Sequence, residues 1–234
     1  MAIDPIRTRN LSVEHRNDDG SAEIIRDFTY RFRAGSFYHL SGPELGGKRL
    51  LLKILGLLLP PDSGEVIVDG CPVTDLGIDD LGEIRNRKFG FLFSSPFLLP
   101  AFTVLENVAM PLLKIARVET PEARMITEEI LEIVGVSQIA LNSAGQLGEL
   151  EERLTALARA LVHHPRVLIA ELVGSNMQDG EAGLLLSALR ASGQRLGLAV
   201  IATLAPHLSW RQADVRLEVG PRGVEEFVSG GPHG

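Results

Sequence analysis

Leu40-Ser41-Gly42-Pro43-Glu44-Leu45-Gly46-Gly47-Lys48-Arg49-Leu50 is the stretch on which the reading of this chain turns. Gly42, Gly47 and Lys48 fall on the phosphate-cradling pattern G-x-x-x-x-G-K-[ST]. Ser36-Phe37-Tyr38-His39-Leu40 reads as a short strand before it, and Leu50-Leu51-Leu52-Lys53-Ile54-Leu55 opens an apolar helix after it. The pattern requires that setting, because consecutive backbone N–H groups and a helix N-terminus must face the phosphates. Gly42, Pro43, Gly46, Gly47, Lys48 and Arg49 are the candidate nucleotide contacts. The last position departs from the pattern: a Ser or Thr hydroxyl there ligates Mg²⁺, and this chain has Arg49. Taken alone, the stretch also reads as a glycine turn between any strand and helix, so its surroundings decide.

Upstream, Asn10 to His15 alternates weakly as a first strand, Arg16 to Ser21 is a polar hairpin turn, and Ile24 to Arg33 returns as a second strand. Downstream, Pro60-Pro61-Asp62-Ser63-Gly64 breaks the chain and Glu65 to Gly70 is a short strand with a turn. An antiparallel edge and a nucleotide-type βα unit are thus in place by residue 75. Asp79 to Lys88 is a polar helix, and Phe89-Gly90-Phe91-Leu92-Phe93 a compact aromatic strand. Ser94 to Pro100 leaves that strand as a loop unusually apolar for a surface segment; it is either packed on the core or a docking surface. Thr103 is a good N-cap for a helix over 104–110. Thr120-Pro121-Glu122-Ala123 starts another, with Ile126, Ile130, Ile133 and Val134 on one face.

Glu151 to Leu161 has apolar residues three and four apart and stops at His163-His164-Pro165. Two histidines without a third ligand nearby read as a solvated helix cap rather than a metal site. Arg166 to Ala170 and Leu198 to Thr203 are apolar on consecutive residues, as buried parallel strands are, with a helix over 179–192 between them. His207 and Trp210 read as surface and packing. Val215 to Val219 and Val224 to Val228 close as a hairpin around Gly220-Pro221-Arg222-Gly223.

With 234 residues, 45% apolar and 23% charged, the chain can bury a full core as one domain or two closely joined ones. A net charge of −7 disfavours a nucleic-acid partner. Cys71 is the only cysteine, which excludes an internal disulfide and fits a reducing, cytoplasmic setting. No basic-then-apolar segment opens the sequence, and the longest apolar run, Ile54 to Pro61, is too short to span a bilayer. Any link to a membrane is expected to run through a partner.

In this order and spacing, the pieces resemble the nucleotide-binding subunit of ATP-binding-cassette (ABC) transporters from about Asn10 to Val228. The look is nearest to the bacterial branch serving cell-division, lipoprotein-release and macrolide-export complexes. Pro60 to Val66 with Asp69-Gly70 resembles the family's segment after the phosphate-loop helix. Phe89 to Phe93 with Leu98 to Val108 resembles its Q-loop region. Glu151 to Leu161 followed by Pro165 to Ala170 resembles the helix after its signature and the strand of its second nucleotide motif. The resemblance implies an α/β P-loop NTPase fold with an antiparallel β edge and an inserted helical subdomain. The whole of 1–234 would be a single nucleotide-binding domain, with about 1–93 and 159–234 as α/β core and about 94–158 as helical subdomain. It also implies ATP as ligand, a transmembrane permease-like partner, and a homodimer or heterodimer with another nucleotide-binding subunit. The chain would sit peripherally on the inner face of the cell membrane. In that family the loop holding Phe97, Leu98, Leu99 and Phe102 touches the transmembrane subunit.

The positions that do the family's chemistry differ. The Q-loop glutamine falls at Ser94, and the signature Leu-Ser-Gly-Gly-Gln, which clasps the γ-phosphate of the opposite subunit, at Leu147-Gly148-Glu149-Leu150-Glu151. The metal-orienting aspartate falls at Glu171, the water-polarising glutamate at Leu172, the final D-loop aspartate at Gln178 and the switch histidine at Leu204. The glycine loop and Lys48 remain, with His15 where the family places an adenine-stacking aromatic. Phosphoryl transfer rests on positioning and charge stabilisation, so these losses remove the catalytic constellation. Arg49 either pairs with phosphate oxygens in place of the metal, allowing Mg²⁺-independent binding, or points to solvent. The expectation is a pseudo-ATPase docked on a membrane partner. A working or slow ATPase, and a soluble scaffold without a membrane partner, are the other readings.

Overall fold

A computed structural model describes residues 3–16, 22–220 and 223–228. Strands β1 (Ile6–Arg16) and β2 (Ala22–Phe32) pair antiparallel from Ile6↔Phe32 to Arg16↔Ala22. The expected hairpin turn between them, at 17–21, lies outside the described residues, as does the Pro221-Arg222 turn near the C-terminus. β3 (Phe37–Ser41) runs into the glycine loop and α1 (Lys48–Leu55), after which β4 (Ser63–Val68) and the short β5 (Cys71–Pro72) follow. β1, β2, β4 and β5 form an antiparallel sheet of their own in the order β2-β1-β4-β5.

α2 (Ile78–Lys88) leads into β6 (Phe89–Leu92). From there to β7 (Val167–Val173) the chain is mostly helical: α3 (Val104–Pro111), α4 (Thr120–Val134) and α5 (Glu149–Leu161). α6 (Asp179–Leu196), β8 (Ala199–Leu204) and the hairpin of β9 (Val215–Gly220) with β10 (Gly223–Val228) complete the fold. The second sheet has the order β10-β9-β3-β8-β7-β6, with β3, β6, β7 and β8 pairing in parallel. Every residue of β8 is buried, which explains its unbroken apolar run.

The pleat sorts the core. Tyr38 and Leu40 face a cluster with Leu51, Ile54 and Leu55 of α1 and the antiparallel strands. Phe37, on the opposite side, joins a cluster built from α3, α4, α5 and α6. Several element boundaries depart from the sequence reading, β1 starting at Ile6 and β7 running to Val173, and two have a local cause. α5 begins at Glu149 rather than Glu151, because Glu151 Oε2 accepts the Gly148 N–H (3.0 Å) and satisfies a first-turn donor. α6 continues past Ser192 to Leu196 and ends where Gly197 takes a left-handed φ of 66°.

Candidate nucleotide site and docking surface

The glycine loop is built against the end of β9. A Cβ at Gly42 (φ 127°) would meet Val219 O at 2.1 Å, and one at Gly46 would meet it at 2.8 Å, so both positions need a residue without a side chain. Gly47 (φ 92°) precedes the first residue of α1. Pro43 is exposed, and Lys48 Nζ donates to Gly42 O (2.7 Å), closing the loop on itself. The free first-turn N–H groups of α1 and the loop backbone make a cradle suited to phosphate oxygens. His15 is exposed on β1 and lies two residues from Val13, whose pairing partner Ile25 comes within 3.4 Å of the Cβ position at Gly47. Strand alternation therefore puts His15 on the loop side of its sheet.

Arg49 does not simply point to solvent. Its Nη2 pairs with Glu44 Oε1 at 3.1 Å, and its buried Nε has no hydrogen-bond partner among the described residues. Arg49 also lines a cavity of about 60 Å³ with Lys53, Phe93 and Glu171. That donor set does not fit Mg²⁺: a guanidinium repels a cation and cannot ligate it. Among the described residues no group of three or more His, Cys, Asp or Glu is placed to hold a metal.

The strand ends bring together the positions singled out on β7 and β8. Glu171 and Leu172 lie next to a bulge in the β7–β8 ladder, and Leu172 takes a left-handed φ of 48° while its N–H donates to Thr203 Oγ1 (2.9 Å). Leu204 is buried at the end of β8, and Gln178 is exposed just before α6. Neither leucine carries a group that can take a proton or orient water. Glu149 is exposed in the first turn of α5, 3.6 Å from Arg153 Nη2.

Beneath the phosphate loop, β3 carries a histidine that pattern reading passed over. Burial, with Arg216 and Lys48 nearby, pushes the His39 imidazole down to about 4, so it is neutral in the fold. Its Nδ1 is buried with no hydrogen-bond partner among the described residues. His163 corrects the reading of a solvated cap: its ring is half-buried and its Nε2 lies 2.9 Å from Phe89 O, while His164 alone is exposed. His207 is exposed, as expected.

The loop after β6 is apolar and fixed. Phe97 is 70% exposed, and Leu99 and Phe102 are also exposed, whereas Leu98 packs partly against the helical core. Ser94, at the expected Q-loop position, is half-buried. Phe93 stacks on Phe91 (5.8 Å between centroids) and meets Phe97 edge-on (6.3 Å). Arg159 of α5 donates to Phe97 O (2.8 Å) and Pro96 O (2.5 Å). The buried Asn107 donates to Leu99 O (3.1 Å) and accepts from Leu99 N–H (2.8 Å). Thr103 and Glu106 form a reciprocal capping box that starts α3.

A groove of about 960 Å³ lies between α2 and the turn that follows α3, lined by Ile78, Glu83, Arg87, Ile115, Arg117 and His163 among others. Sequence reading missed it because its walls lie far apart in the chain. The trace it left was Ile78, 84% exposed beside two aspartates.

A family profile described as ABC transporter matches residues 25–171. The lipoprotein-releasing system ATP-binding protein LolD of Bordetella pertussis is 37% identical over 215 residues, covering 89% of this chain and 92% of the relative. LolD of Bacteroides thetaiotaomicron is 37% identical over 152 residues, covering 65% of this chain and 69% of the relative. Among solved structures, a dimeric bacterial ABC transporter cassette superposes with a TM-score of 0.80 at 25% identity, covering 97% of this chain and all of that one. A component of an ABC transporter complex from Clostridium perfringens gives 0.84 at 18% identity, covering 97% and 89%. The profile, the relatives and the two-sheet architecture agree, and the chain belongs to the ABC transporter family, on the branch of its lipoprotein-releasing ATP-binding subunits.

Proposed function

We propose that this chain is a cassette subunit that binds adenine nucleotide, hydrolyses it poorly or not at all, and docks on a transmembrane partner. The observation that carries this reading is the end of the central strands: Leu172 and Leu204 stand where a proton acceptor and a switch histidine are needed, and Arg49 where a metal ligand is needed. The loop of Gly42, Gly46, Gly47 and Lys48 keeps a backbone cradle for phosphates, with His15 on the same side for the base and Arg49 supplying positive charge without Mg²⁺. The helical segment over about 94–158 acts as a subdomain on the α/β core of about 1–93 and 159–234. Phe97, Leu99 and Phe102 form the docking face, and Leu98 holds the loop down. Dimeric cassettes among the solved structures favour assembly with a second nucleotide-binding subunit. Docking of this kind places the chain on the inner face of the membrane; no helix among the described residues is long and apolar enough to cross it.

The test is phosphate release by the purified protein, alone and with its transmembrane partner, against a Lys48→Ala control. Release equal to the control is expected. Turnover near or above about 1 s⁻¹, within the ordinary enzyme range, marks a working ATPase and refutes the proposal.

A further inference from the structure

The phosphate loop contains a carboxylate of its own. Glu44 stands between Gly42 and Gly47, and its Oε1 is 3.1 Å from Arg49 Nη2. Position 49 is where the phosphate-loop pattern puts the metal-binding hydroxyl, and the metal it holds bridges the β- and γ-phosphates of a triphosphate. Glu44 therefore sets a negative charge against the one side chain that stands at the metal position of the pattern. The inner phosphates are held differently, by backbone N–H groups of the loop. That part of the cradle is intact, with Gly42 and Gly46 packed on Val219 and Gly47 leading into α1.

We infer that the loop selects nucleoside diphosphates over triphosphates, with Glu44 excluding the terminal phosphate. The inference rests on the reading of this loop as a nucleotide site. Arg49 pairs with Glu44 and shares its cavity with Lys53 and Glu171. Two cations thus stand against two carboxylates before any ligand arrives. A terminal phosphate that pairs with Arg49 must take it from Glu44 and then face the displaced carboxylate at a few ångström, a repulsive contact. A diphosphate needs only the backbone cradle and Lys48, whose Nζ lies on Gly42 O at the mouth of the loop.

Calorimetric titration with ADP and with ATP in an EDTA-containing buffer tests this, on the wild-type chain and on Glu44→Gln, which keeps the side chain's shape and removes its charge. Glu44 is exposed, so the variant is expected to fold, and its melting temperature checks this. ADP should bind the wild type about tenfold more tightly than ATP or better, and Glu44→Gln should bring ATP to within about threefold of ADP. Equal affinities in the wild type, or a preference that survives Glu44→Gln, overturn the inference and leave the nucleotide site standing. No binding of either nucleotide by either protein overturns the nucleotide site itself and this inference with it.

Discussion

A guanidinium is always charged and cannot ligate a cation, so Arg49 changes what the phosphate loop recognises rather than merely weakening it. A phosphate oxygen that pairs with Arg49 gains a charge-assisted bond, of about 1.5–3 kcal/mol. ATP affinity should therefore be unchanged by Mg²⁺ or EDTA and should fall about tenfold or more in Arg49→Ser. Titration in both buffers checks this; an affinity that requires Mg²⁺, or one that rises in Arg49→Ser, rules out the role. The glycine spacing was readable from sequence because it is local and each glycine answers a steric demand within the loop. The Glu44–Arg49 pair was not, since a one-dimensional pattern does not say which neighbour a flexible guanidinium will find. His39 escaped for a similar reason: on an apolar strand it reads as one polar letter, and only the fold shows Arg216 and Lys48 beside it.

At the scale of elements, the loop between β6 and α3 shows how an apolar segment can stay exposed without collapsing. Arg159 and Asn107 bind its carbonyls, and the Thr103–Glu106 box fixes where α3 begins. Phe97 and Leu99 are thereby held outward while Leu98 turns in. Phe97→Ala with Leu99→Ala should abolish co-purification with the transmembrane subunit, since anchors at an interface commonly cost about 1 kcal/mol or more each on truncation. The melting temperature of that double variant should stay within a few degrees of wild type. Leu98→Ala should instead lower the melting temperature, because it removes packing rather than exposed surface. A double variant that unfolds shows the loop to be core; one that stays folded and keeps its partner places docking elsewhere. The sequence located α3, α4 and α5 but neither the π-helical turn over Leu112–Ala116 nor the groove it helps to wall, which forms only when α2 packs beside that turn.

For the whole molecule, the alternation and the unbroken apolar runs foretold an α/β core with antiparallel strands, and the strands do divide that way into two sheets. What no pattern indicated was the state of the histidines inside it. His39 and His163 both have their imidazoles held below the ordinary value by burial, His39 down to about 4. Each is neutral in the fold near neutral pH, whereas in the unfolded chain each takes up a proton as the pH falls through about 6.5. Protons then bind the unfolded state preferentially, so stability is fully present above about pH 6.5 and declines from there towards pH 4. For His39 alone, the loss between pH 7 and pH 5 is about 2 kcal/mol. Denaturant midpoints across that range should show it, and His39→Leu, which fills a similar volume without a titrating group, should flatten the profile by the same amount. An equal decline in wild type and variant would show that His39 is protonated within the fold, and the acid sensitivity would then belong to other groups.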